Sequence, residues 1–176
     1  MNETKKHPVI QRLEALAGEG NADRAALAKL RRSLQNPIEA YPIVLPYLPN
    51  TVGNDELGLY AMLAGLFANH PQSGGTGNMG NHMRQAAGES IEATERRFVN
   101  LLRANAEDLP ILLRQSISFL RSKDIPVQWE QLRKDVLAWS HPDSFVQKNW
   151  ARAFWGFRPT NNENKKDQDD QKSIKE

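Results

Sequence analysis

Residues 55–71, DELGLYAMLAGLFANHP, constrain the fold more than any other part of the chain. After the opening acids the stretch is apolar almost all round, so a helix built from it has no face to give to water. It predicts a central helix enclosed by other elements, stopped by Pro71. The rest of the sequence supplies the enclosure, and all of it has helical spacing. Val9, Leu13, Leu16 and Ala17 share one face of a first helix, with Pro8 at its start and Gly18 at its end. Leu27, Leu30 and Leu34 form the next stripe. Residues 37–50 are interrupted by Pro42, Pro46 and Pro49, which leaves room for a short helical turn only. Further helices are expected over residues 80–88, 89–105, 109–122, 126–138 and 142–156. No run of alternating β-branched residues competes with them. The fold class is therefore all-α. The expected organisation is two small helical subdomains, residues 1–72 and 80–159, joined by a flexible glycine-rich linker over 73–79.

At 176 residues the chain can bury a real core. It carries 23 basic and 21 acidic residues, a net charge of +2, which is too mild to establish a nucleic-acid partner by itself. Residues 160–176 hold four lysines, five acids and one aliphatic residue, Ile174, and are expected to form a disordered polar tail. Setting the tail aside leaves 19 basic against 16 acidic residues, a slightly more basic body. There are no cysteines, which removes disulfides, thiolate zinc sites and cysteine nucleophiles. No segment has the apolar length of a signal peptide or a membrane span, so a soluble, cytoplasmic protein is expected.

Three motifs invite a site and fail on context. GGTGNMG, residues 74–80, contains a literal G-x-G-x-x-G at Gly75, Gly77 and Gly80. A dinucleotide fingerprint needs a strand before that turn, and here a helix precedes it. No cofactor is expected. His7, His70, His82 and His141 have no metal-ligand spacing and no accompanying acids, so no metal is expected either. Ser140, His141 and Asp143 are too close in sequence for triad geometry. They are expected instead at a helix start, with Pro142 in the first helical position. Trp129, Leu132, Val136 and Trp139, like Val146, Trp150 and Phe154, recur at core spacing. Trp155 falls off that stripe and is expected to be exposed or at an interface.

The basic residues are placed in rows. Arg24 and Arg31, Arg96 and Arg103, and Arg114 and Arg121 are each seven apart. Each pair nearly superposes down its helix, roughly 10.5 Å apart along the axis. Lys29, Lys123 and Lys134 add to the rows. Arginine's planar fork suits bidentate phosphate contacts, and rows at this spacing can follow a nucleic-acid backbone. A solvated helix face balanced by Glu92, Glu95, Glu107 and Asp108 is the other reading of the same pattern.

Residues 95–155 carry a more specific signal. The helix ERRF..LLRA (95–104), the helix LLRQSISFL, the pattern IP..W..L..D...W (125–139) and the closing V...WAR.F (146–154) occur in that order. Upstream, DRAALAKLRR (23–32) and HP...G..MRQAAG (70–88) match as well. Together they resemble the CasB family, the small subunit of Cascade, the type I-E CRISPR surveillance complex. The resemblance implies an all-helical, two-subdomain fold and a non-enzymatic subunit. It implies crRNA, target and non-target DNA, other Cascade subunits and a second copy of the chain as partners. The family's role there is to hold the guide–target duplex and the displaced strand. Carried onto the matched elements, that role falls on Arg24, Arg31, Arg32, Arg84, Arg96, Arg97, Arg103, Arg114, Arg121, Arg133 and Arg152. Arg97 and Arg152 are also candidates for structural pairing with acids beside the core. The alternative is a purely structural scaffold whose basic faces dock acidic surfaces of neighbouring subunits.

Overall fold

The computed structural model describes residues 5–156 apart from positions 19, 21 and 89. The tail at 160–176 lies outside the described residues. Within them the regular elements are α1 (Pro8–Leu16), α2 (Arg24–Arg32), α3 (Tyr41–Val44), α4 (Asn54–Asn69), α5 (Met79–Ala87), α6 (Ile91–Leu102), α7 (Leu109–Ser122), α8 (Trp129–Leu137) and α9 (Phe145–Trp155). Short 3₁₀ turns flank α3 at Pro37–Ala40 and Leu45–Tyr47, as the prolines require. The only β pairing among the described residues is an isolated bridge between Ser73 and Val127. No described helix is long and apolar enough to cross a membrane.

α4 is the central helix. Every residue from Tyr60 to Ala68 is buried, and α2, α7 and α8 pack around it. Phe67 meets Trp129 of α8 edge-on, with ring centroids 5.3 Å apart. Fully burying a side chain of this kind is worth about 1.5–3 kcal/mol. In the second half α5 lies against α6 and α9. There Phe98 stacks on Phe154 at 4.5 Å, and Trp139 packs on Trp150 at 5.0 Å. One apolar cluster runs from Val9 through to Phe154.

The segment expected to be a slack linker is held in place. The Val127 amide and the Trp129 indole Nε1–H both donate to the Gln72 carbonyl, each at 3.1 Å. The His70 ring reaches the Ile125 carbonyl at 2.7 Å, and the Gln128 amide donates to His82 Nε2 at 3.1 Å. Gly75 is buried in this seam, where a Cβ would run into the Pro126 carbonyl and stand 2.9 Å from the Gln128 nitrogen. Gly80 lets α5 approach the Trp150 carbonyl of α9 so closely that a Cβ has no room. Gly75 and Gly80 therefore serve backbone packing, while Gly77 takes a left-handed turn at φ +83° against the Asn81 side chain.

Two helix starts differ from expectation. α8 begins at Trp129 rather than 126 because Val127 is drawn into the bridge with Ser73 and the Gln128 side chain caps Glu130 at 3.2 Å. α9 begins at Phe145 rather than 142. His141 precedes a proline, which disfavours helical backbone, and its Nδ1 accepts the Asp143 amide at 3.2 Å in a turn. Ser144 then enters the helix with φ +49°.

Candidate nucleic-acid interface

α7 turns Leu109, Leu113, Ile117 and Leu120 into the core, with Ser116 buried among them. That rotation leaves Arg114, Gln115, Arg121 and Ser122 exposed on the other side. The helix contains no acidic residue. Its outer side and α6 enclose a furrow of ≈ 560 Å³ lined by Arg97, Ile111, Arg114, Gln115, Ser118, Phe119 and Ser122. The Arg97 guanidinium lies 5.3 Å from the centre of the Phe119 ring, a cation–π contact that keeps its charge at the surface. Arg114 also borders a second hollow of ≈ 340 Å³, shared with Ser33, Leu34, Pro37, Gly58, Met62, Glu107, Pro110 and Ile111.

At the other end of α7 two arginines from distant parts of the chain meet the C-terminus of α4. Arg31 Nε donates to the Ala68 carbonyl at 2.9 Å. Arg121 Nη1 donates to the Asn69 carbonyl at 3.0 Å and to its side-chain Oδ1 at 2.8 Å. The last carbonyls of a helix carry partial negative charge, which favours cations there. Arg31, Arg97, Arg114 and Arg121 have no ion pair with any described carboxylate.

The remaining arginines of the sequence reading fall elsewhere. Arg133 is turned inward: its Nη2 pairs with Glu130 at 2.7 Å and its Nη1 donates to the Tyr60 hydroxyl at 3.4 Å. Glu130 also accepts the His7 amide at 2.9 Å, so the cluster ties the start of α1 to α4 and α8. Burial pushes the Glu130 carboxyl upward, but Arg133, the His7 amide and Lys134 outweigh it and hold it below its ordinary value. Arg32 faces Glu39 at 3.5 Å on the surface. Arg152 donates to Asn149 Oδ1 at 3.4 Å. The acid pairing considered for Arg97 and Arg152 is therefore replaced by an aromatic ring and an amide. Arg24, Arg96 and Arg103 are exposed, without an ion pair to a described residue. Arg84 is half-buried on α5 beside Thr76 and Gly77.

Of the groups that shape these surroundings, Asn69 and Ser118 carried no sequence signal, whereas Trp155 is exposed as expected. Asn69 and Ser118 join α4 to α7 through a 3.2 Å hydrogen bond beneath Arg121. Asp135 is buried and accepts Trp150 Nε1–H at 2.7 Å and Gln131 at 2.8 Å. Desolvation pushes its carboxyl up, against the pull of those two donors and Lys134. Trp155, 44 % exposed, donates its indole N–H to Glu95 at 2.7 Å, which takes one α6 acid out of competition with the arginines. The histidines are each used by the backbone or a neighbouring hydroxyl: His7 Nδ1 accepts the Val9 amide and its Nε2 lies 3.4 Å from the Tyr60 hydroxyl. Among the described residues no group of three or more His, Asp and Glu side chains is arranged to hold a metal.

The fold and this face define a class: small all-helical proteins built round one buried helix, here with Arg97 and Arg114 lining a furrow and Arg31 and Arg121 at the end of the central helix. Residues 26–155 match the family model of CRISPR-associated protein Cse2, and the chain belongs to that family. A CRISPR-associated protein Cse2 of Thermus thermophilus is 29 % identical over 163 residues, covering 88 % of this chain and 92 % of the relative. The crystal structure of a Cse2-family protein from the same organism aligns with a TM-score of 0.74 at 28 % identity, over 85 % of this chain and 96 % of that one. M. ruber CasB aligns at 0.68 with 25 % identity, over 84 % and 90 %. A chain of a CRISPR RNA-guided surveillance complex shares the fold at 0.68 and 24 % identity, over 83 % and 87 %.

Proposed function

We propose that this chain is a non-catalytic small subunit of a crRNA-guided surveillance complex in the cytoplasm. It works there beside other Cascade subunits and a second copy of itself. Its basic helix faces hold the backbone of the guide–target duplex and of the displaced strand. The observation that carries the reading is the acid-free outer side of α7, with Arg114 and Arg121 exposed on it and Arg97 and Arg31 at its flanks. Guide pairing reads the sequence in such a complex, and exchange of one duplex for another is nearly balanced. A protein that neutralises phosphates along its surface tips that balance without reading bases. Family membership supports the reading, as does the shared fold of the surveillance-complex chain.

The test is Arg114→Ala with Arg121→Ala in the assembled complex. Target-DNA affinity should fall roughly tenfold or more, equally for different target sequences, while the melting temperature of the isolated subunit stays close to that of the parent. Unchanged affinity would sink the reading. The scaffold alternative draws on a different observation. Ile38 and Ile111 are 65 % and 58 % exposed, apolar side chains that a neighbouring subunit would cover. On that reading the double variant drops out of the complex instead of losing DNA.

A further inference from the structure

Most arginines on a protein surface sample many rotamers, and Arg121 does not have that freedom. Both N–H groups of its Nη1 are engaged by one residue, through the Asn69 carbonyl and the Asn69 side chain. The Asn69 amide is fixed in turn, because its Nδ2 donates to Ser118 Oγ on the next inward turn of α7. Asn69 is half-buried at the last position of α4, and Arg121 is exposed. One carbonyl earlier, Ala68 receives Arg31. Consecutive helical residues rise only about 1.5 Å along the axis, so two guanidinium groups share the end of α4, whose partial negative charge offsets their mutual repulsion. Each keeps donors for a ligand: Nη1 and Nη2 on Arg31, Nε and Nη2 on Arg121.

We infer that Asn69 is a positioning residue of the nucleic-acid face: it locks Arg121 beside Arg31 so that the two guanidinium groups form a preset clamp for one backbone phosphate. The clamp joins α2 to α7 through the end of α4, so it is built from residues 90 positions apart and exists only in the folded chain. Holding the side chain before the ligand arrives removes part of the ordering cost of binding. Alanine in place of Asn69 keeps the backbone carbonyl but loses both side-chain bonds, which leaves Arg121 one tether instead of two without removing its charge.

This inference rests on the nucleic-acid reading above, and a double-mutant cycle separates the two. Binding of the full chain to a fluorescein-labelled oligo-dT is measured for the parent, Asn69→Ala, Arg121→Ala and the double variant, with thermal melting alongside. Asn69→Ala should weaken binding roughly fivefold in the parent background and leave it nearly unchanged once Arg121 is alanine. Equal weakening in both backgrounds overturns the positioning role and leaves the nucleic-acid reading standing. If Arg121→Ala has no effect, the clamp falls, and the nucleic-acid reading is then decided by the Arg114→Ala, Arg121→Ala variant. Should Asn69→Ala fail to fold, Ser118→Ala touches the same amide from α7 and leaves α4 intact. It should show the same dependence on Arg121, and a loss independent of Arg121 overturns the inference.

Discussion

Burial sets the chemistry of single residues here more than their type does. His82 is 2 % exposed, and desolvation holds its ring down at about 4. The neutral ring accepts the Gln128 amide through Nε2, a bond that protonation would destroy. The unfolded chain takes up the proton near the ordinary value of 6.5 and the folded chain only near 4, so acid favours unfolding across that window. Stability should drop by about 3 kcal/mol as pH falls from 6.5 to 4, and His82→Gln should flatten that part of a melting-temperature profile. A profile as steep in the variant as in the parent would assign the loss elsewhere. His7 acts in the same direction, lowered by burial and then by Arg133. The same distinction sorts the arginines. Arg114 and Arg133 each lie on an amphipathic helix, yet one faces solvent and the other lies against Glu130 and Tyr60. The periodicity of α7 made Arg114 legible. The i,i+3 spacing to Glu130 was visible for Arg133, but not its inward turn, because Tyr60 of α4 and the His7 amide close the cluster from distant parts of the chain.

Among the elements, the helices themselves were the most readable, since an apolar stripe at 3.6-residue spacing has few other uses. α7 spans Leu109–Ser122 as the pattern predicts, and α4 is buried as its composition requires. The ends of α8 and α9 were not readable, because long-range contacts at Val127 and the His141 turn decide where they begin. Residues 73–79 show the same effect most strongly. Glycine content made them look slack, whereas Gly75 is there because the backbone of 126–128 passes against it. Gly75→Ala should therefore cost about 1–3 kcal/mol in urea unfolding by forcing the seam apart. Deleting residues 74–77 should cost more. A fully tolerated deletion would restore the slack-linker view.

At the scale of the molecule, binding should report the charge that stays exposed and ignore the charge that is paired. The isolated protein is expected to bind single strands weakly and without sequence preference, with affinity falling steeply as salt rises. Arg121→Ala should reduce the salt slope by about one, and Arg133→Ala should leave the slope unchanged while lowering stability. An affinity that does not move between low and moderate salt would count against a phosphate-holding role. A net charge of +2 could not have predicted such behaviour, because what matters is which charges are paired and which stay exposed. Glu130, Glu39 and Glu95 are occupied by Arg133, Arg32 and Trp155, and none of them belongs to α7.

The sequence by itself determined that this protein is helical, which helix lies at its centre and which faces carry arginine, because periodicity is a property of neighbouring residues. Only the tertiary structure decided which arginines remain available and which are spent on internal pairs. It alone brought Arg31 and Arg121 to the two final carbonyls of α4 and placed Asn69 between α4 and α7. Those last contacts join residues 37 to 52 positions apart, and no local pattern encodes such a distance.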